Sequence, residues 1–447
     1  MTIQPRLYNG TRDLLPADML PRERVLAEFR RSFQLFGFAP VETPALEYLE
    51  ILTGKYGDDE AQLLYRLDYR NDDPARRLAL RYDLTVPLAR LVALHPELPL
   101  PFKRYQLQPV WRADRPQPHQ GRYREFMQCD LDTVGSTSLS ADAEIVAVCA
   151  DLLGKLELPG FVIRLNHRRL LGAIVELAGL DADQEAAVCG AVDKLDKVGL
   201  EGVRKELGQR GLAEAAVARV LELITLPVDF ADPAALAARL ADHPAGRQAL
   251  DELRELHAQL LTLGVAGAHL KLDLTLARGL SYYTGPIFET VLPALPHMGS
   301  LMGGGRYDGL VGMFLGRDLP AVGATLGLDR ILTALAQLRP GLAERTPTRV
   351  LVSRSFPETD ALALQLAARL RGAGVPTEIA LEPGKLKKQL AYADKKGIPW
   401  VLVLGPDEAA QGQVSARDMR GGRQQTLSLA GLEADPGRWE PTAGAPA

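Results

Sequence analysis

Between Pro101 and Gly135 the sequence reads as strand, loop, strand: FKRYQLQPVWRAD, then RPQPHQGRY, then REFMQCDLDTVG. Side chains alternate across an extended chain, so Phe126, Gln128, Asp130 and Asp132 share one face of the second strand while Met127, Cys129 and Leu131 share the other. A long antiparallel hairpin of this kind demands a sheet with one apolar face to cover and one polar face that is either solvated or occupied. Its neighbours favour occupation. Arg112 and Asp114 close the first strand, Arg115 and Arg122 sit in the loop, and Arg124 stands where the loop meets the second strand. Guanidinium forks beside carboxylates and an aromatic ring suit a nucleotide and an amino acid held together.

The rest of the chain is read around that hairpin. At 447 residues it exceeds what one hydrophobic core usually serves, which predicts two to four domains. An amphipathic helix is expected over Pro21 to Phe36, with Pro in its first turn and Gly37 past its end. Strand-rich chain is expected in two parts, 1–164 and 270–338, separated by an Ala/Leu/Glu-rich helical insertion at 165–269. The stretch 348–432 alternates strand and helix like a small α/β domain, and 433–447 reads as a disordered tail. A net charge of −4 argues against a surface coated in nucleic acid, so any RNA contact must be local. The three cysteines form no C-x-x-C pair, which leaves no disulfide framework or structural zinc site to expect. No signal-peptide pattern opens the sequence and no apolar run approaches a membrane span, so a cytoplasmic location is expected.

The hairpin sequence resembles motif 2 of class II aminoacyl-tRNA synthetases in its histidyl form. LARGLSYYTGPIFE resembles the signature that sets histidyl-tRNA synthetases apart, GGGRYDGLVGMF with AVGATLGLDRIL resembles the third histidyl signature and motif 3, and GFAPVETPALE is similar to motif 1. The four occur in the family's order, with similarity from about Asn9 to about Leu429.

The resemblance implies an α+β fold: a class II synthetase-type antiparallel sheet with flanking helices, the helical insertion, and a C-terminal α/β anticodon-binding domain. It also implies roles. Arg112 would bridge the ATP α-phosphate and the histidine carboxylate, with Phe126 under the adenine, Arg330 over it and Arg122 at the γ-phosphate. Asp83, Thr85, Gln128 and Asp132 would receive the α-ammonium group, and Tyr282, Tyr283 and Tyr307 would shape the imidazole pocket. Arg278 falls in both the catalytic and the histidine-binding sets, set against the α-phosphate. Expected partners are ATP with Mg2+, L-histidine, histidine tRNA and a second copy of the chain, with no membrane.

Other features carry less. Seven histidines show no metal-ligand spacing, and His119 in the hairpin loop reads as exposed or RNA-facing. Gly303 to Gly305 lack the Lys-Ser/Thr ending of a phosphate loop and read as close backbone packing near the histidine pocket. Lys385, Lys387, Lys388, Lys395 and Lys396 form a basic run, and Thr346 to Leu432 holds 12 Lys/Arg against 8 Asp/Glu, a +4 segment consistent with RNA contact. Two departures from the family stand out: a motif 2 loop two residues longer than usual, and Ser281 where many relatives have Asp. The rival reading is a catalytically inactive paralogue that regulates ATP phosphoribosyltransferase. Such paralogues usually lack the anticodon-binding domain and erode the ATP-binding arginines, whereas Arg112, Arg278 and Arg330 are all in place here. A pure RNA-binding module would leave the arginine-lined pocket and the tyrosine pair unexplained.

Overall fold

The computed structural model describes residues 3–54, 62–68, 76–277, 282–339 and 345–434. The chain forms two compact units: Met1–Arg12 with Val25–Arg339, and Asp13–Arg24 with the chain from Pro340 onward.

Among the described residues, ten strands belong to the first unit: β1 Ala39–Pro40, β2 Leu46–Tyr48, β3 Leu78–Leu80, β4 Phe102–Trp111, β5 Glu125–Val134, β6 Val162–His167, β7 Leu270–Leu272, β8 Pro286–Val291, β9 Met302–Arg306 and β10 Ala321–Gly327. Eight of them make one sheet in the order β1-β4-β5-β10-β9-β8-β6-β7, with β2 and β3 paired separately. The eight are antiparallel except at the two edges, where β1 runs parallel to β4 and β7 parallel to β6. The hairpin read from sequence is β4–β5, paired from Phe102 opposite Val134 to Trp111 opposite Glu125.

The apolar face of this sheet is covered by helix Leu139–Lys155, opened by Ser138, whose side chain accepts from the Ser140 N–H at 3.2 Å. Phe29 and Phe33 of the first helix join the same cluster of buried side chains. So do the leucines of the inserted helices, among them Leu253, Leu256 and Leu260 of helix Pro244–Thr262. The insertion therefore shares the sheet's core rather than building its own.

Two boundaries differ from the sequence reading. The insertion was expected from Leu165, yet β6 runs to His167 and the first inserted helix spans Arg168–Leu177. Ile163 and Leu165 are buried on one side of a strand paired with β8, and His167 then caps the helix by accepting from the Arg169 N–H at 3.1 Å. Apolar spacing across so short a segment does not separate strand from helix. The first helix spans Pro16–Leu35, so Pro21 lies inside it and not in its opening turn. Pro16 and Asp18 supply the earlier start, with the Asp18 carboxylate accepting from the Leu15 N–H at 3.2 Å.

The second unit carries a five-stranded sheet built from β11 Val350–Val352, β12 Thr377–Ile379, β13 Trp400–Val403, β14 Gln413–Asp418 and β15 Gln424–Ser428, in the order β12-β11-β13-β14-β15. The first three strands are parallel, as the alternation predicts, and β14 and β15 add an antiparallel hairpin that it does not. β15 reads QQTLS and is mostly exposed, so no apolar pattern announces it. Helix Leu429–Ala434 reaches into the segment expected as a tail, and 435–447 lie outside the described residues.

Candidate active site

Directly paired residues of a sheet project to the same side. Gln108, Gln106 and Arg104 of β4 face Gln128, Asp130 and Asp132 of β5, which in turn face Gly327, Thr325 and Gly323 of β10. This is the polar face read from sequence, and it is not solvated: Arg104, Asp130 and Asp132 are 0%, 3% and 4% exposed. The Asp132 carboxylate meets Arg104 Nη2 at 2.7 Å and accepts from the Tyr307 hydroxyl. Burial pushes Asp130 up to about 7, with Asp132 adding to the rise and Arg104 and the Thr325 hydroxyl opposing it. Gly323 is required here, since a Cβ at that position would come within 1.9 Å of Asp132 Oδ1.

Above this face lies a cleft of about 400 Å³. Its lining includes Arg112, Arg122, Phe126, Gln128, Tyr282, Tyr283 and Arg330, seven of the residues singled out in the sequence. Arg112 lies over the Tyr82 ring at 4.2 Å and the Phe126 ring at 5.2 Å, and its Nε donates to the Tyr82 carbonyl at 3.1 Å. Arg330 donates to the Ser300 carbonyl at 2.6 Å from the helix Leu328–Leu338. Its neighbour Asp329 is bonded by Arg12, whose guanidinium also stacks 3.7 Å over Tyr123. Arg122, Ser300 and Arg330 are shared with a second cavity of about 920 Å³ that extends to Asp193, Asp196 and Lys197 of the inserted helices.

The tyrosines stand together. The Tyr282 hydroxyl donates to that of Tyr283 at 3.3 Å, and Tyr282 packs edge-on against Tyr307 with ring centroids 6.0 Å apart. Burial raises both Tyr282 and Tyr307 above the ordinary phenol range, so both stay protonated donors at neutral pH. Tyr307 is aimed by its predecessor: Arg306 Nε donates to Asp142 Oδ1 at 3.2 Å on helix Leu139–Lys155, and Tyr307 turns to Asp132. The triple glycine lies in β9, where a Cβ at Gly304 would meet the Gly323 carbonyl at 2.2 Å. It is a close-packing device, as expected.

Asp83, Thr85, Asp132 and Tyr307 are not among the described residues lining the cleft. Asp132 and Tyr307 sit behind it. Asp83, two residues before helix Thr85–Leu94, accepts from the Val86 N–H in its first turn at 3.1 Å, and its charge bears on Tyr282 and Asp130. Thr85 opens that helix, half-buried. Arg278 and Ser281 lie outside the described residues. Among the described residues no three His, Cys, Asp or Glu side chains gather to hold a metal. The loop between β4 and β5 holds a 3-10 turn, Pro118–Gln120, that contains His119. Of the basic run, Lys396 is tied to Glu378 at 2.5 Å, while Lys385, Lys387, Lys388 and Lys395 are exposed. The sequence reading overlooked Arg104, Tyr82 and Thr325. Alternation back from Arg112 along β4 points to Arg104, but only strand pairing brings Thr325 beneath Gln128.

Comparison with known proteins agrees with this geometry. A family model described as histidyl-tRNA synthetase matches residues 10–331, and one described as anticodon binding domain matches residues 350–434. A histidine–tRNA ligase of Cytophaga hutchinsonii is 42% identical over 443 residues, covering 94% of this chain and 97% of its own length. The crystal structure of histidyl-tRNA synthetase from Nostoc has a TM-score of 0.85 at 30% identity, covering 97% of this chain and 99% of that one. A Bacillus halodurans structure described as an ATP phosphoribosyltransferase regulatory subunit/histidyl-tRNA synthetase has a TM-score of 0.69 at 25% identity, covering 87% of this chain and 97% of that one. The regulator reading is thus the weaker, and among the described residues no helix is long and apolar enough to cross a membrane. The chain belongs to the histidyl-tRNA synthetase family.

Proposed function

We propose that this chain activates L-histidine with ATP, releasing pyrophosphate, and transfers the histidyl group from the adenylate to the terminal adenosine of histidine tRNA. The observation that carries this reading is the cleft lined together by Arg112, Arg122, Arg330, Phe126, Gln128 and the tyrosine pair. The histidine carboxylate is the nucleophile: its oxygen bonds to the α-phosphorus as the bond to pyrophosphate breaks. Negative charge builds on the α-phosphate, and Arg112 is assigned to it. Phe126 and Arg330 take the adenine between them, and Arg122 the γ-phosphate. Gln128 receives the α-ammonium group, with Asp132 and Asp83 supplying negative charge behind it and Thr85 at the edge. Tyr282, Tyr283 and Tyr307 offer phenol hydroxyls to the imidazole. In the second step the ribose 3′-hydroxyl attacks the histidyl carbonyl and AMP leaves.

Arg278 is assigned to the α-phosphate on family resemblance, and Arg278→Ala is expected to lower pyrophosphate exchange by about two to three orders of magnitude. Mg2+ enters with ATP as part of the substrate, which asks for only one or two carboxylates from the protein. Asp114 and Asp329 are the carboxylates of the described cleft lining. The unit around β11–β15 is assigned to the tRNA anticodon, with its exposed lysines near the backbone phosphates. A homodimer is proposed through motif 1, supported by Leu46 and Tyr48 of β2, which are 49% and 51% exposed. The cytoplasm is the proposed location. Histidine-dependent ATP–pyrophosphate exchange followed by charging of histidine tRNA tests the function. Silence in the exchange, together with stimulation of ATP phosphoribosyltransferase, would overturn it.

A further inference from the structure

We propose that Asp130 and Thr325 form a relay that sets the amide of Gln128, so that its carbonyl and not its NH2 group faces the amine of the amino-acid substrate. The proposal rests on the reading that Gln128 receives that amine.

Gln128 is 6% exposed, lines the cleft, and donates from Nε2 to the Thr325 hydroxyl at 3.3 Å. Its Oε1 is buried with no hydrogen-bond partner among the described residues, an acceptor left for something that enters the cleft. Thr325 lies on β10 directly opposite Asp130 on β5, so the two side chains project from the same face of the sheet, where Asp130 Oδ1 is a buried acceptor with no hydrogen-bond partner among the described residues. Asp130 is 3% exposed and does not itself line the cleft.

A threonine hydroxyl has one proton to give. In the relay that proton goes to the Asp130 carboxylate across the strand pair, which leaves the Thr325 oxygen to act towards Gln128 only as an acceptor. A flipped amide would set two acceptor oxygens against each other and turn an NH2 group towards an ammonium ion. Both contacts are repulsive, and the low dielectric of the site magnifies them. The buried carboxylate thus determines which end of an amide two groups away meets the substrate. Arg104 helps to keep Asp130 available as a carboxylate, opposing the rise caused by burial and by Asp132. This supplies a physical reason for a carboxyl beneath the cleft that touches no substrate.

The test compares binding of histidine with that of 3-(imidazol-4-yl)propanoate, which lacks the amine, by calorimetry on the full chain at pH 8. Thr325→Val is expected to weaken histidine about tenfold, the scale of one misdirected hydrogen bond to a charged group, while the deamino analogue changes less than about twofold. In pyrophosphate exchange the loss falls on the histidine KM and not on kcat or the ATP KM, and Thr325→Ser restores it. Asp130→Ala, which frees the hydroxyl proton, gives the same selective loss. Equal weakening of both ligands would reduce Thr325 to packing and overturn the relay, as would unchanged histidine binding. A selective loss in Thr325→Val with none in Asp130→Ala would remove Asp130 from the assignment. Thr325→Ala serves if the valine variant does not fold. Gln128→Ala separates the two readings: unchanged histidine binding there defeats the amine assignment, whereas a loss there with none in Thr325→Val defeats only the relay.

Discussion

The polar face of the eight-stranded sheet and the helices inserted after β6 share one hydrophobic core, yet they place their charges in opposite ways. On the sheet, Arg104 and Asp132 meet at 2.7 Å with side chains 0% and 5% exposed. On the helices, the side chains of Arg239 and Glu222 meet at 2.5 Å while 54% and 52% exposed. The helical pattern is what folding alone produces: leucines inward, charges outward, ion pairs that water largely screens. The sheet pattern opposes folding, because attraction between buried ions barely offsets the cost of removing them from water. A fold retains such a face for what it does to a ligand. The difference separates residues that build the protein from residues that use it.

The comparison breaks most visibly at Arg104. Arg104→Leu leaves Asp132 charged in a buried place, and urea unfolding should show a loss of about 3–5 kcal/mol. A loss below about 1 kcal/mol would mean that water reaches this face in solution. Next is Arg112→Ala, expected to lower pyrophosphate exchange about 100- to 1000-fold with little change in melting temperature. Loss of activity only in step with loss of fold would put Arg112 among the builders.

Glu252 tests the boundary between the two regions. It accepts from the buried His167 at 2.9 Å and from Arg169, fastening helix Pro244–Thr262 to the end of β6. The hydrogen bond from His167 is the largest cause that holds its carboxyl down at about 2. A depressed carboxyl stabilises the fold fully above its unfolded pKa of about 4.3 and loses that contribution as pH falls towards the folded value. Glu252→Gln should therefore cost about 1–2 kcal/mol at pH 7, with the gap to the parent protein narrowing between pH 5 and 3 in unfolding measurements. Smallest is Arg239→Ala, expected to change stability by less than about 0.5 kcal/mol. A larger change would show that the helical surface pairs do more than keep the chain soluble.

Much of the site was legible before the fold. Alternation along 125–134 puts Phe126, Gln128, Asp130 and Asp132 on one side because extended chain has a period of two, a local property that needs no partner. The arginines of the hairpin and the tyrosine pair were visible as residue types in motif order. The parallel strands of the second unit followed from the punctuation between them, while polar β15 had no pattern to read.

The tertiary structure decided what depends on neighbours distant in sequence. Whether the polar face of β5 meets water or is buried depends on β4, β10 and Tyr307, with Thr325 bonding Gln128 from 197 positions away and Tyr307 bonding Asp132 from 175. Strand pairing alone set Thr325 opposite Asp130 and within hydrogen-bond reach of Gln128, and gave a solvated-looking carboxyl a buried place beneath the cleft. The extent of the insertion was likewise settled by pairing with β8, since a strand needs a partner and a helix satisfies its own backbone. Sequence fixes which side each residue can face; long-range pairing fixes what it meets there, because hydrogen bonding and burial between strands are non-local.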